Sequence, residues 1–186
     1  MSEVTTLTLS IITVCFNDQD NLAKTLNSIR SQGYKYIQSI IIDGGSKDNT
    51  KSLIQSNLDI INYWISEPDA GLYDAMNKGL KQVHGDYVLF LNAGDIFHNT
   101  SVVGHAMQSA GAADLLYGDA IIVYEDGSYK SPLHKVTPKS LNWQDFKNGM
   151  VVCHQAIFAK PTIIATYNID YKIAYTIQRL LDRDRD

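Results

Sequence analysis

The chain has 186 residues, 45% of them apolar and 19% charged, with a formal net charge of −4, which suits one sizeable buried core and excludes disordered and fibrous classes. Its Lys and Arg are scattered and outnumbered by acids, so no nucleic-acid partner is expected, since phosphate neutralisation needs clustered cations. No basic, apolar-cored leader opens the sequence, and no run nears the roughly twenty apolar residues that cross a bilayer. The expected location is therefore cytoplasmic, with peripheral membrane association left open. Cys15 and Cys153 lie far apart without metal spacing, each beside an apolar stretch, and are expected to be reduced core thiols.

In chain order, Leu7 to Phe16 reads as a strand, because its nearly continuous β-branched and apolar residues suit burial on both faces. It ends at Asn17-Asp18. Leu22, Leu26 and Ile29 then recur at helical spacing, and Gly33 supplies a stop. Ile37 to Ile42 forms a second strand ending in Asp43-Gly44-Gly45-Ser46, after which Lys47-Asp48-Asn49-Thr50 opens a helix through Leu53 and Ile54. This βαβ alternation predicts a mostly parallel α/β sheet flanked by helices.

A third strand is expected at Ile60 to Ile65, a helix at Ala70 to Val83, a strand at Tyr87 to Leu91 and a helix over about 100–110. Beyond these the pattern becomes less regular. Asp114 to Tyr117 reads as extended, and Ala120 to Tyr124 and Ser128 to Leu133 flank the tight-turn signal Glu125-Asp126-Gly127. The chain is expected to be a single domain with a ligand-binding half over about 7–96 and a smaller half over about 97–186.

Strand ends carry side chains of one character: Asn17-Asp18, Asp43-Gly44-Gly45-Ser46 and Asn92-Ala93-Gly94-Asp95. In parallel, adjacent strands all of them project to the carboxyl edge, where open α/β sheets bind ligands. Asp acceptors there can read a base and ribose, and Asp95 can hold a hard divalent cation that binds phosphate oxygens. Asp-Gly-Gly-Ser by itself also marks an ordinary strand-to-helix turn. The dinucleotide fingerprint Gly-x-Gly-x-x-Gly and the Gly-x-x-x-x-Gly-Lys phosphate loop are both missing, which argues against hydride transfer and against a P-loop NTPase.

The ordered set Ser10 to Asn17 with Asn21-Leu22, Ile40 to Thr50, Glu67-Pro68-Asp69-Ala70-Gly71-Leu72-Tyr73-Asp74-Ala75-Met76-Asn77-Lys78-Gly79, Gly85-Asp86-Tyr87 and Phe90 to Asp95 resembles family 2 glycosyltransferases. Bacterial enzymes that build exopolysaccharide and colanic-acid-like repeat units are the most similar group. Fainter similarity continues through Tyr117-Gly118-Asp119, His154 to Phe158 and Tyr171 to Ala174. The resemblance implies a GT-A fold and metal-assisted, inverting transfer of a sugar from a nucleotide-diphosphate sugar, a UDP-sugar first among them. The implied acceptor is a saccharide or a lipid-linked saccharide, and the place is the inner face of the cell membrane.

By the same resemblance Phe16, Asn17, Asp43 and Ser46 surround the donor's base and ribose, with Asp43 foremost. Asp69, Gly71, Asn77 and Lys78 border the uridine and diphosphate, although Lys78 also suits a solvated helix face. Tyr73 and Met76 suit core packing at helical spacing. Where relatives carry Asp-x-Asp or Asp-x-Asp-Asp, this chain has one carboxylate. Asp95 is thus the expected ligand of Mg²⁺ or Mn²⁺, and Asn92 a ribose contact or a residue behind the metal. His154 suits either a site or a hydrogen-bonded structural role.

The position matching the relatives' proton acceptor is Thr176, whose hydroxyl is a poor base, and loss of general-base help costs on the order of 10²–10⁴ in rate. Asp119 is the remaining, weaker candidate. Relatives continue further, so a truncated or diverged carboxyl-terminal part is expected. A catalytically impaired nucleotide-sugar-binding module is the alternative. A nucleotidyltransferase is disfavoured, because no Gly-rich, cation-studded loop follows the first strand.

Overall fold

The computed structural model describes residues 6–124, 128–130 and 152–166. In chain order the elements are β1 (Leu9–Cys15), α1 (Gln19–Arg30), β2 (Ile37–Asp43), α2 (Thr50–Gln55), β3 (Tyr63–Ser66), α3 (Leu72–Leu80), β4 (Tyr87–Phe90), α4 (Val102–Ser109), β5 (Leu115–Tyr117), β6 (Ile122–Val123), β7 (Tyr129–Lys130), β8 (Ile157–Ala159) and α5 (Pro161–Thr166). A 3-10 turn, His154–Ala156, leads into β8. The main sheet runs β3-β2-β1-β4-β8-β5, and β6 and β7 form a separate hairpin.

Strands β1 to β4 are mutually parallel, whereas β8 is antiparallel to both β4 and β5. The carboxyl ends of β1, β2, β3, β4 and β5 therefore share one edge. This is the predicted mostly parallel sheet, with β8 added. The run containing Ile157, Phe158 and Ala159 carries no strand prediction, because three residues buried on both faces leave no alternation to read.

Each buried strand feeds two cores. Ile12, Val14, Ile40, Ile42, Val88 and Phe90 meet Ala75 and Met76 of α3 on one face. Leu9, Ile11 and Leu89 meet Ile29 of α1 and Val103 and Met107 of α4 on the other, and Cys15 and Ile41 meet Leu22, Leu26 and Ile54 there. Fully burying one such aliphatic side chain stabilises the fold by about 1.5–3 kcal/mol, so covering both faces favours the continuous apolar strands seen in the sequence. α3 lies close to β1: a Cβ on Gly79 would sit 2.5 Å from Ile12 Cγ2.

Element ends differ from expectation for local reasons. β3 begins at Tyr63 rather than Ile60, where the Asn62 amide takes the Ser39 carbonyl at 2.9 Å and its Oδ1 accepts from Ser39 N–H at 2.8 Å. α3 begins after Gly71, whose φ of 109° is no helical value. It ends in i→i+3 bonds from Gln82 and Val83. Of the two side chains expected in its core face, Met76 is buried but Tyr73 is 38% exposed, because it lies in the first turn, beyond the sheet edge.

Candidate active site at the carboxyl edge of the sheet

Register builds the centre of the site. Cys15, Asp43 and Ser66 are paired neighbours on β1, β2 and β3, so their side chains form a row on one face. Asp43 is fully buried. Its Oδ1 accepts from the Ser46 hydroxyl, and its Oδ2 accepts from Ser46 N–H at 3.0 Å and from the Ser66 hydroxyl at 2.5 Å. Burial, with Asp43 next, pushes the Cys15 thiol far above its ordinary value, so it is an inert core thiol. Cys153 is half-buried and free, and burial raises it as well.

The Ser46 hydroxyl, donating to Asp43, also accepts from Asn17 N–H at 2.7 Å, and Asn17 Oδ1 accepts from Lys47 N–H at 2.8 Å. Asn17 adopts a φ of 48°, a left-handed value that Asn tolerates better than most residues. That turn leaves Phe16 projecting, 59% exposed. A Cβ on Gly44 would lie 2.7 Å from Asp69 Oδ2 and 3.2 Å from Phe16 Cδ2. The bare Gly44 is thus flanked by an exposed aromatic ring and a carboxylate.

The segment 67–74 is held by its own acids and one cation. Asp69 Oδ1 accepts from Gly71 N–H at 2.9 Å and Asp74 Oδ2 from Ala70 N–H at 3.0 Å. Lys78 Nζ lies 3.0 Å from Glu67 Oε1 and 3.3 Å from Asp74 Oδ2, and donates to the Pro68 carbonyl at 3.0 Å. The Glu67 carboxylate, with Asp74 behind it, raises the Lys78 ammonium above its ordinary value. Asn77 is half-buried on the following turn.

Across β1, the loop 92–95 is pinned by Thr25 of α1. Its buried hydroxyl donates to the Asp95 carbonyl at 2.9 Å and accepts from Gly94 N–H at 3.0 Å. Asp95 is half-buried, and burial raises its carboxyl above the usual range. The Gln155 amide opposes that shift by donating to Oδ2 at 3.0 Å. His154 neighbours the same carboxylate. Burial lowers the imidazole below its ordinary value, and the Asp95 charge acts in the opposite direction. Asn92 Oδ1 is buried without a hydrogen-bond partner.

The structure thus gathers Phe16, Asn17, Asp43, Ser46, Asp69 and Gly71 on one side of the edge, and Asn92 and Asp95 beyond β1. Lys78 faces the acids of its own loop. Asp119 is exposed just past β5, on the same edge but across β8. Thr176 and the segment Tyr171 to Ala174 lie outside the described residues. Sequence reasoning missed Ser66, Thr25 and Gln155. Ser66 directly precedes the motif that begins at Glu67, and Gln155 adjoins His154, but no local signal ties either to its carboxylate.

A divalent cation can be tested against these donors. Among the described residues Gln155 donates to Asp95 Oδ2 and none is seen to donate to Oδ1, the half-buried His154 imidazole is near enough to act on the same charge, and Asn92 Oδ1 in the same loop is buried without a hydrogen-bond partner. Oxygen donors suit Mg²⁺ or Mn²⁺, and an imidazole leans toward Mn²⁺. The fit is one of few protein ligands, since no group of three or more His, Cys, Asp and Glu forms a metal cluster among the described residues.

Comparison with known proteins bears on what this edge holds. The sequence model described as Glycosyl transferase family 2 matches residues 10–165. An uncharacterized glycosyltransferase of Mycobacterium tuberculosis is 36% identical over 178 residues, covering 90% of this chain and 65% of that protein. A PGL/p-HBAD biosynthesis glycosyltransferase of Mycobacterium bovis is 29% identical over 180 residues, covering 88% and 64%. The chain therefore spans about two thirds of the length of these curated relatives.

Among solved structures, S. aureus TarS 1-349 in complex with UDP-GlcNAc superposes with a TM-score of 0.74 at 16% identity, over 92% of this chain and 53% of that one. The mannosyltransferase PcManGT of Pyrobaculum calidifontis, in complex with GDP-Man and Mn²⁺, gives 0.67 at 14% identity, over 92% and 50%. At such identities the likeness shows the fold, which is the Rossmann-like GT-A arrangement.

Proposed function

From the premise that this chain belongs to glycosyl transferase family 2, we propose that it binds a nucleoside-diphosphate sugar at the carboxyl edge of its sheet. It passes the sugar, with inversion, to an acceptor hydroxyl in glycan assembly. One observation carries the reading: Phe16 and Asp69 converge on Gly44 at the carboxyl end of β2, on the same sheet edge from which the loop after β4 carries Asp95. An exposed ring offers a stacking platform for a base, and a glycine beneath it lets the ligand reach the backbone. Asp69 and Asn17 take the donor's polar edges.

Asp43 acts from behind the pocket. Its carboxylate holds Ser46 and Ser66, and through Ser46 the Asn17 turn, so that Phe16 stands out toward the base. Lys78 offsets part of the charge of Glu67 and Asp74, which lowers the repulsion a diphosphate meets near α3. Asp95, with Asn92 behind it, is where Mg²⁺ or Mn²⁺ would be held. A cation held there would supply charge to balance that developing on the departing diphosphate. Asp119 is the proton acceptor we assign for the incoming hydroxyl, because it is an exposed carboxylate on the same edge, on the acceptor side of β8.

The donor is read as a UDP-sugar and the acceptor as a saccharide or lipid-linked saccharide in cell-surface polysaccharide assembly. The place of action is the cytoplasmic face of the membrane. No described helix is long and apolar enough to cross a membrane.

Titration calorimetry with UDP, GDP and dTDP, with and without Mn²⁺, tests the donor reading. UDP is expected to bind, more tightly with Mn²⁺. Phe16→Ala weakens binding about tenfold, in line with the roughly 1–3 kcal/mol of a stacked base, and Asp95→Ala removes the Mn²⁺ dependence. Heat flat for all nucleotides refutes the proposal. Donor hydrolysis that survives in Asp119→Asn moves the base elsewhere.

A further inference from the structure

Asp95 belongs to the loop after β4, but the group that holds its carboxylate comes from 60 positions later in the chain, in the 3-10 turn before β8. Gln155 Nε2 donates to Asp95 Oδ2 at 3.0 Å, and Gln155 Oε1 accepts from the Cys153 thiol at 2.8 Å. These two bonds fix which end of the amide faces the acid. A flipped amide would set oxygen against carboxylate and its N–H groups against a weak donor. The turn itself is held to the sheet edge, since Gly118 N–H donates to the Ala156 carbonyl at 3.0 Å.

We propose that Gln155 is a positioning residue for the divalent cation: by occupying Asp95 Oδ2 it turns the carboxylate so that Oδ1 alone faces the metal and diphosphate. This rests on the donor reading above. The reason lies in the altered motif. With one carboxylate in Asn92-Ala93-Gly94-Asp95, the geometry that two acids would share falls to a single side chain with a free terminal torsion, and an outside donor must fix it.

A neutral amide suits that task. Lys or Arg at this position would cancel the charge the cation needs, whereas the amide donates a hydrogen bond to the carboxylate without neutralising it. The thiol supplies the orientation and carries no charge. The arrangement also ties the donor side of the sheet to β8, so the metal geometry depends on how the later part of the chain docks.

The test is calorimetric binding of UDP with Mn²⁺, and of UDP with a chelator, to the full chain. Gln155→Met, which keeps length and removes the donor, is expected to weaken Mn²⁺-linked UDP binding about tenfold, the low end for partners that orient metal ligands. UDP affinity in chelator and the urea midpoint stay unchanged. Since Gln155 acts through Asp95, the double variant Asp95→Ala/Gln155→Met should match Asp95→Ala alone. Gln155→Ala repeats the measurement with a different shape, so a packing defect in one variant does not decide the outcome.

An unchanged Mn²⁺ linkage in both Gln155 variants overturns the role of Gln155 and leaves the donor reading standing, and so does a double variant whose losses add. If the unaltered chain binds UDP with no Mn²⁺ dependence, the metal reading of Asp95 falls, and the inference with it.

Discussion

The two sides of the carboxyl edge are built by different means. On the β1–β3 side the loops are laced to each other by short side chains, with Asp43 at the centre and Ser46, Ser66 and Asn17 around it. On the β4–β8–β5 side, strands of three or four residues meet, and single side chains such as Thr25 and Gln155 hold the loop at 92–95. The first side makes fold and site one object, so damage there reaches stability. The second presents a carboxylate that can be mis-aimed while the fold stays intact.

Asp43→Ala breaks the comparison at its strongest point. It leaves buried hydroxyl and amide donors without acceptors, and a loss of about 3 kcal/mol in urea unfolding is expected, together with loss of UDP binding. If stability instead holds while only binding falls, the first side is no more integral to the fold than the second. Gln155→Met is the opposite pole, with Mn²⁺-linked UDP binding weakened about tenfold and stability kept.

Gly44→Val sharpens the same contrast within the first side. Its Cβ would crowd the Asp69 carboxylate and the Phe16 ring, both partly exposed and able to give way. The expected outcome is UDP affinity lowered about tenfold with a stability change below about 1 kcal/mol. A cost in stability comparable to Asp43→Ala would mean that the pocket is closed rather than open at Gly44.

The smallest effect is expected far from either side, at the Arg30–Asp59 pair on the surface. The Arg30 hydrogen bond, aided by its charge, holds the Asp59 carboxyl below the usual range. A carboxyl lowered by folding adds stability above its unfolded pKa and loses it as pH falls through the lowered value. The gap between unaltered chain and Asp59→Asn in thermal midpoint is therefore expected to be slight at neutral pH and to close as pH falls through the lowered value of Asp59. A gap that widens on acidification would reverse the sign of that interaction.

Legibility followed the length of each signal. Leu9–Cys15 and Ile37–Asp43 could be read because runs of buried residues, seven in the first and five in the second, leave little choice but a covered strand. Gly44, Asp69 and Asp95 stood out as strand-end residues in an ordered set of motifs. Tyr73 misled, since helical spacing places it on the apolar face while the sheet ends before reaching it. β8 and Gln155 were invisible for one reason: each gains its role from a partner some seventy or sixty residues away.

The sequence by itself determined the alternation of strands and helices, the shared edge on which the polar strand ends meet, and the family. The alternation follows from local spacing and residue type, which act before any long-range contact forms, whereas the family was read from the resemblance of an ordered set of motifs. Only the tertiary structure decided that Asp43 turns inward as a support and that Lys78 is taken up by the acids of its own loop. It alone decided that the single carboxylate at Asp95 accepts from an amide in the turn before β8, 60 residues further along the chain. Hydrogen-bond partners of this kind are set by strand register and docking, and neither is written in the spacing of any one segment.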